Sequence, residues 1–274
     1  MNKSEKPLTT DRIKEIQLSI LNQVIDFCEQ NDIKYYLTGG TLIGAVRHKG
    51  FIPWDDDIDL NMPRRDYNRF FSTFNSFRND SLIAISVDTD KDYYLANGKV
   101  YDSNTILIED LNQRKEIGVN IDIFPLDDLP GADLERSVFL KEMYLLRTLL
   151  SLKQIRISKT RAALKNIVLA CSQFILKPVN CYWLLKVINE KSQKYNDKDD
   201  CTYIAAVATL IWGNKEIFKK ELFTSTVKLE FEGRLMDCPS GYDSVLGQVY
   251  GDYMQLPPIE KQISHHSYIA YERV

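Results

Sequence analysis

Apolar residues recur at helical spacing near the start of the chain. Ile13, Ile16, Ile20, Val24 and Phe27 are three and four residues apart, and Thr9, Thr10 and Asp11 precede them with capping side chains. This predicts a helix over residues 11–31. Tyr35-Tyr36-Leu37 reads as a short strand ending at Gly39-Gly40, and residues 41–47 as a short helix that stops near Gly50 and Pro53. The period then switches to two. Asp55, Asp57, Asp59 and Asn61 alternate with Ile58, Leu60 and Met62, so a strand places the apolar set on a core and the acids on its other face. Pro63 ends that strand. Residues 65–77 follow as a helix with Tyr67, Phe70, Phe71 and Phe74 on one side.

Strands are predicted at 82–87, 98–101, 105–108 and 119–124. In the last, Val119, Ile121 and Ile123 point one way and Asn120 and Asp122 the other. From about residue 133 to 195 the pattern is helical, with Leu145, Leu146, Leu149, Leu150 and Leu152 giving a broad apolar face and Pro178 dividing it into at least two helices. A strand at 227–231, a helix at 244–250 and a tail carrying Pro257, Pro258, His265 and His266 complete the chain. No internal repeat is visible.

Composition narrows the class. The chain has 274 residues, 44% of them apolar and 27% charged, which is the profile of an ordinary globular protein rather than a disordered one. A net charge of −3 provides no global basic field for nucleic acid. The N-terminus has no apolar signal-peptide core, and no run reaches about 18 apolar residues. The five cysteines are scattered without a CxxC pair, so reduced, buried thiols in a cytoplasmic protein are expected. Charge is unevenly placed: residues 139–194 carry +9 and the remainder −12. That basic helical stretch reads either as a solvated face or as a surface resting on anionic lipid at the inner face of a membrane.

The alternating acidic segment carries the chemistry. Asp57 and Asp59 lie one strand step apart, and two carboxylates that close repel unless a cation or water intervenes. Mg²⁺, or Mn²⁺ in its place, takes one or two carboxylates together with phosphate oxygens. Asp55 extends the cluster on the same face. Gly39-Gly40-Thr41 sits between a strand and a helix, where glycines and a helix N-terminus suit a phosphate. Asp122 adds a third carboxylate on another strand. An acidic turn leading into a strand is the plain alternative for the aspartates taken alone. Phosphate cradle, carboxylate pair and third carboxylate are together the parts of metal-assisted phosphoryl transfer. Lys99 and Arg47 are candidates for phosphate oxygens; the alternatives are a solvated edge residue for Lys99 and a helix C-terminal position for Arg47. His265 and His266 read as ligands or as surface residues. Trp54, Trp183 and Trp212, with fifteen tyrosines, can furnish an aromatic cage for a quaternary ammonium group, or simply core.

The run YLTGGTLIGAVRHKGFIPWDDDID over residues 36–59 strongly resembles the signature of the LicD family, and KVYDSNT at 99–105, DIFPLD at 122–127 and YGDYM at 250–254 continue the likeness. The helical stretch of about 135–200 carries no matching motif. The resemblance implies an α+β fold: a nucleotidyltransferase-like mixed β-sheet core with flanking helices, built from residues 1–134, a basic helical insertion at 135–200, and a C-terminal part, 201–274, that completes the core and substrate site. It implies transfer of phosphorylcholine or a related phospho-alcohol from a CDP-linked donor, CDP-choline foremost, to a cell-surface glycan or teichoic acid precursor, free or lipid-linked, with CMP leaving. Gly39 and Gly40 then match the family's phosphate-holding glycines, Asp57 and Asp59 its metal aspartates, and Asp122 its third carboxylate and general base. A DxD glycosyltransferase using a nucleotide sugar is the rival enzyme, and a non-catalytic nucleotide- or glycan-binding protein the rival of another class.

Overall fold

The computed structural model describes residues 6–77, 81–109, 116–157, 162–263 and 268–274. Helix α1 (Thr10–Gln30) is capped by Thr9, whose hydroxyl accepts from the Arg12 amide at 3.2 Å, and buries Ile13, Ile16, Ile20, Val24 and Phe27. A short β1 (Tyr36–Leu37) leads into α2 (Gly39–His48). Strand β2 (Asp59–Pro63) runs directly into α3 (Arg64–Phe77), which buries Tyr67, Phe70, Phe71 and Phe74. Phe27 of α1 meets Phe70 and Phe74 edge-on at 5.7 and 5.0 Å, so α1 and α3 form one layer.

The sheet beneath them orders its strands β1-β2-β6-β4-β3, with β3 at Leu82–Ile85, β4 at Gly98–Asp102 and β6 at Asn120–Pro130. Strand β6 is the spine. Its first half lies parallel to β2 and antiparallel to β4, and its second half pairs with β7 (Cys201–Ala205), which in turn pairs with β8 (Phe218–Lys219). Both directions occur in one sheet, as the expected mixed sheet requires. Ile58, Leu60, Met62, Ile121, Ile123 and Val100 are fully buried in the same cluster as the α1 and α3 side chains. Alternation therefore turns their neighbours in sequence to the opposite face.

Helices α4 (Asp133–Gln154), α5 (Ala163–Ile175) and α6 (Cys181–Ser192) fill the predicted helical stretch, with Pro178 between the last two. Phe139, Met143, Leu184, Leu185 and Ile188 pack with Leu129 of β6 and Ala205 of β7. The hairpin of β9 (Thr226–Phe231) and β10 (Arg234–Pro239), then α7 (Tyr242–Tyr250), return the chain to the core. A separate ladder joins β5 (Thr105–Glu109) to β11 (Tyr268–Glu272).

Several boundaries differ from expectation. The acidic segment becomes strand only at Asp59; residues 55–58 are irregular. Strand β6 continues six residues past its predicted end. Pro125 lacks a ladder donor, yet Asp127, Asp128 and Leu129 find partners on β7 and Leu126 and Leu129 are buried, so pairing and packing carry the strand on. Strands β7, β8, β10 and β11 were not foreseen. In β10 the turn Glu232-Gly233, with both residues at positive φ, folds the chain back on β9. His265 and His266 lie outside the described residues.

Candidate active site

Three strands bring three charged residues into one row. Asp59 of β2 stands opposite Asp122 of β6, and Asp122 stands opposite Lys99 of β4. Their side chains leave the sheet on the face away from α1 and α3. Lys99 Nζ lies 2.6 Å from Asp122 Oδ1 and donates to Asn120 Oδ1 at 2.8 Å, while Asn97 donates to the same Asp122 oxygen at 2.9 Å. Lys99 is 5% exposed. It is not a solvated edge residue; its ammonium is paired with Asp122.

The corner between β1 and α2 closes over Asp59. Thr38 donates its amide to the Asp59 carbonyl at 3.2 Å, and the Asp59 amide donates to the Thr41 hydroxyl at 2.9 Å. Asn61 donates to the Thr38 hydroxyl at 3.0 Å. Thr41 thus acts first as a clamp between helix and strand. The glycines are needed for close approach. Gly39 has φ +57, and a Cβ there would lie 3.0 Å from Asp59 Oδ2; a Cβ on Gly40 would overlap Asp55 Oδ2. Both glycines belong to the first turn of α2, two residues earlier than the predicted helix start. The first amides of a helix have no intrahelical acceptor and carry the positive end of its dipole, so Gly39, Gly40 and Thr41 present an anion-binding terminus beside carboxylates.

Asp59 is half-buried, and its carboxyl is held well above the usual range by desolvation and then by Asp57, Asp122 and Asp55, with Lys99 opposing. Four acids share one place. Their mutual repulsion, and a donor set of hard oxygens only, fit a divalent cation. Among the described residues no three His, Cys, Asp or Glu side chains already close as a cation cage. The arrangement suits an ion whose coordination is completed by substrate phosphate, the usual habit of Mg²⁺.

Arg47 is not brought to this cluster. It occupies the last turn of α2, eight residues from Gly39 and so about 12 Å along the helix. Its guanidinium donates to the Tyr253 carbonyl at 2.6 Å and to His48 Nε2 at 2.9 Å, tying the C-terminal tail to the helix. Asp127, from the DIFPLD motif, is also structural: fully buried, it accepts both prongs of Arg64 at 2.7 and 2.8 Å.

A cavity opens from Asp59 and Gly39 toward Trp212, Glu216, Val249 and Tyr250. Of the three tryptophans considered, Trp54 packs against the main core and Trp212 lines this cavity. Trp212 is one of the three cage candidates of the sequence, whereas nothing there marks Glu216; the loop that carries both lies between β7 and β8. Asn97 and Asn120 were also not singled out as site residues, although Asn120 shares the strand alternation of Asp122.

A family model described as LicD/FKTN/FKRP, nucleotidyltransferase domain, matches residues 32–145. The chain is 35% identical over 270 residues to the lipopolysaccharide cholinephosphotransferase LicD of Haemophilus influenzae, covering 97% of this chain and 99% of that protein. Over 43 residues it is 44% identical to the ribitol 5-phosphate transferase FKRP of Homo sapiens, or 16% of this chain and 9% of the relative. The last stretch is short.

Proposed function

The chain belongs to the LicD family, and on that premise we propose that it transfers a phospho-alcohol, phosphorylcholine foremost, from a CDP-linked donor to a hydroxyl of a cell-surface glycan or teichoic acid precursor. The observation that carries the reading is the in-register row Asp59–Asp122–Lys99 beside the Gly39-Gly40 turn. It joins an anion-binding helix terminus to a carboxylate cluster within one face of one sheet.

In this reading the amides of Gly39, Gly40 and Thr41 receive phosphate oxygens of the donor. Asp57 and Asp59, with Asp55 and Asp122 alongside, would hold Mg²⁺ or Mn²⁺, which would supply charge neutralisation for the diphosphate. The acceptor oxygen forms a bond to the distal phosphorus as the bond from that phosphorus to the bridging oxygen breaks, and CMP leaves with the bridging oxygen. Asp122, oriented by Lys99 and Asn97, takes the hydroxyl proton.

The acceptor side extends to a membrane. No helix among the described residues is long and apolar enough to cross one. Helix α5, however, exposes Leu164, Ile167, Val168, Phe174 and Ile175 and buries Leu169 alone, in the segment of charge +9. That supports peripheral contact with anionic lipid at the inner face, where a lipid-linked acceptor would be presented.

The test is CMP release by the purified chain from CDP-choline, CDP-ribitol and CDP-glycerol with a glycan acceptor. Release requires added Mg²⁺ and stops with EDTA. Asp57→Asn and Asp59→Asn each lower kcat by about 10³-fold or more with the fold retained by circular dichroism. Near-normal turnover in either variant, or release of a nucleoside diphosphate from a nucleotide sugar, overturns the proposal.

A further inference from the structure

We infer that Trp212, Tyr250 and Glu216 form the subsite for a trimethylammonium group, so that the alcohol carried by the donor is choline. This rests on the reading of the aspartate cluster as a phospho-alcohol transfer site and names the chemistry of the transferred group.

The cavity runs continuously from Asp59 to these three residues. The rings of Trp212 and Tyr250 stand 6.0 Å apart at 69°, two walls close to a right angle. Both stay in contact with solvent, Trp212 55% exposed and Tyr250 36%. Glu216 lines the same cavity, its carboxylate fixed by the Trp212 amide, which donates to Oε2 at 2.9 Å. Burial first, and then the charges of Asp59, Glu216, Asp55 and Asp57, raise the Tyr250 hydroxyl above its usual range. A phosphate beside Gly39 and Asp59 and a cation beside Trp212 and Tyr250 therefore share one cavity.

The chemistry of this end selects among alcohols. Its other walls include Ile211 and Val249. A quaternary ammonium has no N–H to satisfy, and its diffuse charge suits aromatic faces and one carboxylate. A primary ammonium needs several acceptors at hydrogen-bond distance, and a pentitol needs partners along its whole length. The nearby polar groups already serve the protein: the Thr209 hydroxyl donates to the Ala206 carbonyl at 3.1 Å and Asn61 donates to Thr38. Burial raises the Glu216 carboxyl above its usual range, with the Trp212 amide and then Arg147 opposing.

Two variants test the subsite on the full chain. Glu216→Gln keeps an acceptor for the Trp212 amide and removes only the charge; Trp212→Leu removes an exposed ring. Each should reduce the preference for CDP-choline over CDP-ribitol, as a ratio of kcat/KM, at least ten-fold. Tetramethylammonium, followed by saturation-transfer NMR on its methyl signal, should bind the unaltered chain and lose that signal in both variants, while neutral 3,3-dimethylbutanol binds far less. A selectivity ratio altered less than two-fold, or a methyl signal equal in variant and parent, overturns the inference. Absence of CMP release from every CDP-alcohol overturns the transferase reading instead, and the methyl signal still decides the subsite.

Discussion

Gly40 shows how one missing methyl group can matter more to chemistry than to stability. A Cβ there would overlap Asp55 Oδ2, the tip of a short, partly exposed side chain that can swing away. The strain is therefore relieved cheaply, and alanine's higher helix propensity returns roughly 1 kcal/mol. The displaced carboxylate belongs to the acid cluster, however. Gly40→Ala should leave the melting temperature within a few degrees of the parent and lower kcat/KM for the CDP-alcohol more than ten-fold, measured as CMP release. Gly39 behaves differently. At φ +57 any side chain costs about 1–2 kcal/mol of backbone strain, so Gly39→Ala loses both stability and activity. A Gly40→Ala variant with full turnover would show that Asp55 is not held against the helix terminus for function.

At the scale of elements, α5 and β6 obey the same rule with opposite outcomes. The second half of β6 carries a proline and two aspartates, poor strand text, and becomes strand because β7 pairs with it and Leu126 and Leu129 are buried. Helix α5 has strong apolar text and buries almost none of it. An unburied face of that kind forgoes roughly 25 cal/mol per Å² unless something covers it. If anionic lipid covers it, the chain floats with vesicles containing phosphatidylglycerol at low salt, the bound fraction falls as salt screens the basic side chains, and Phe174→Asp releases it without altering CMP release from a soluble acceptor. Recovery of the whole protein in the pellet-free aqueous fraction at low salt would remove the membrane from the proposal.

For the whole molecule, one buried guanidinium joins the sheet to the helical segment beside the apolar packing of α4 and α6 on β6 and β7. Arg64, 6% exposed at the junction of β2 and α3, grips Asp127 of β6 with two nitrogens and donates to Asn189 and Ser192 at the end of α6. Asn196 adds a bond to the same aspartate at 2.9 Å. Removing one partner leaves a charge buried without its counter-ion, which costs about 3–5 kcal/mol. Asp127→Ala should therefore lower the melting temperature by roughly 6–20 °C at about 2–4 °C per kcal/mol, read by thermal denaturation, even though its motif neighbour Asp122 is the one placed in the catalytic row. The DIFPLD text could not separate those two roles, since both are aspartates in the same run on one strand. Periodicity alone determined much else: the aromatic stripe of α3, the burial of Ile58, Leu60 and Met62, and the outward turn of Asp57, Asp59 and Asp122 follow from side-chain spacing, which is local. The glycine turn beside the acids was legible for the same reason. Which carboxylate stands next to which, that Lys99 neutralises Asp122 and Arg47 holds the tail, and that Trp212, Glu216 and Tyr250 reach the cavity of Asp59 were decided only by strand register and by the pairing of β6 with β7. Those contacts join residues from 23 to more than 200 positions apart, and no local pattern encodes them.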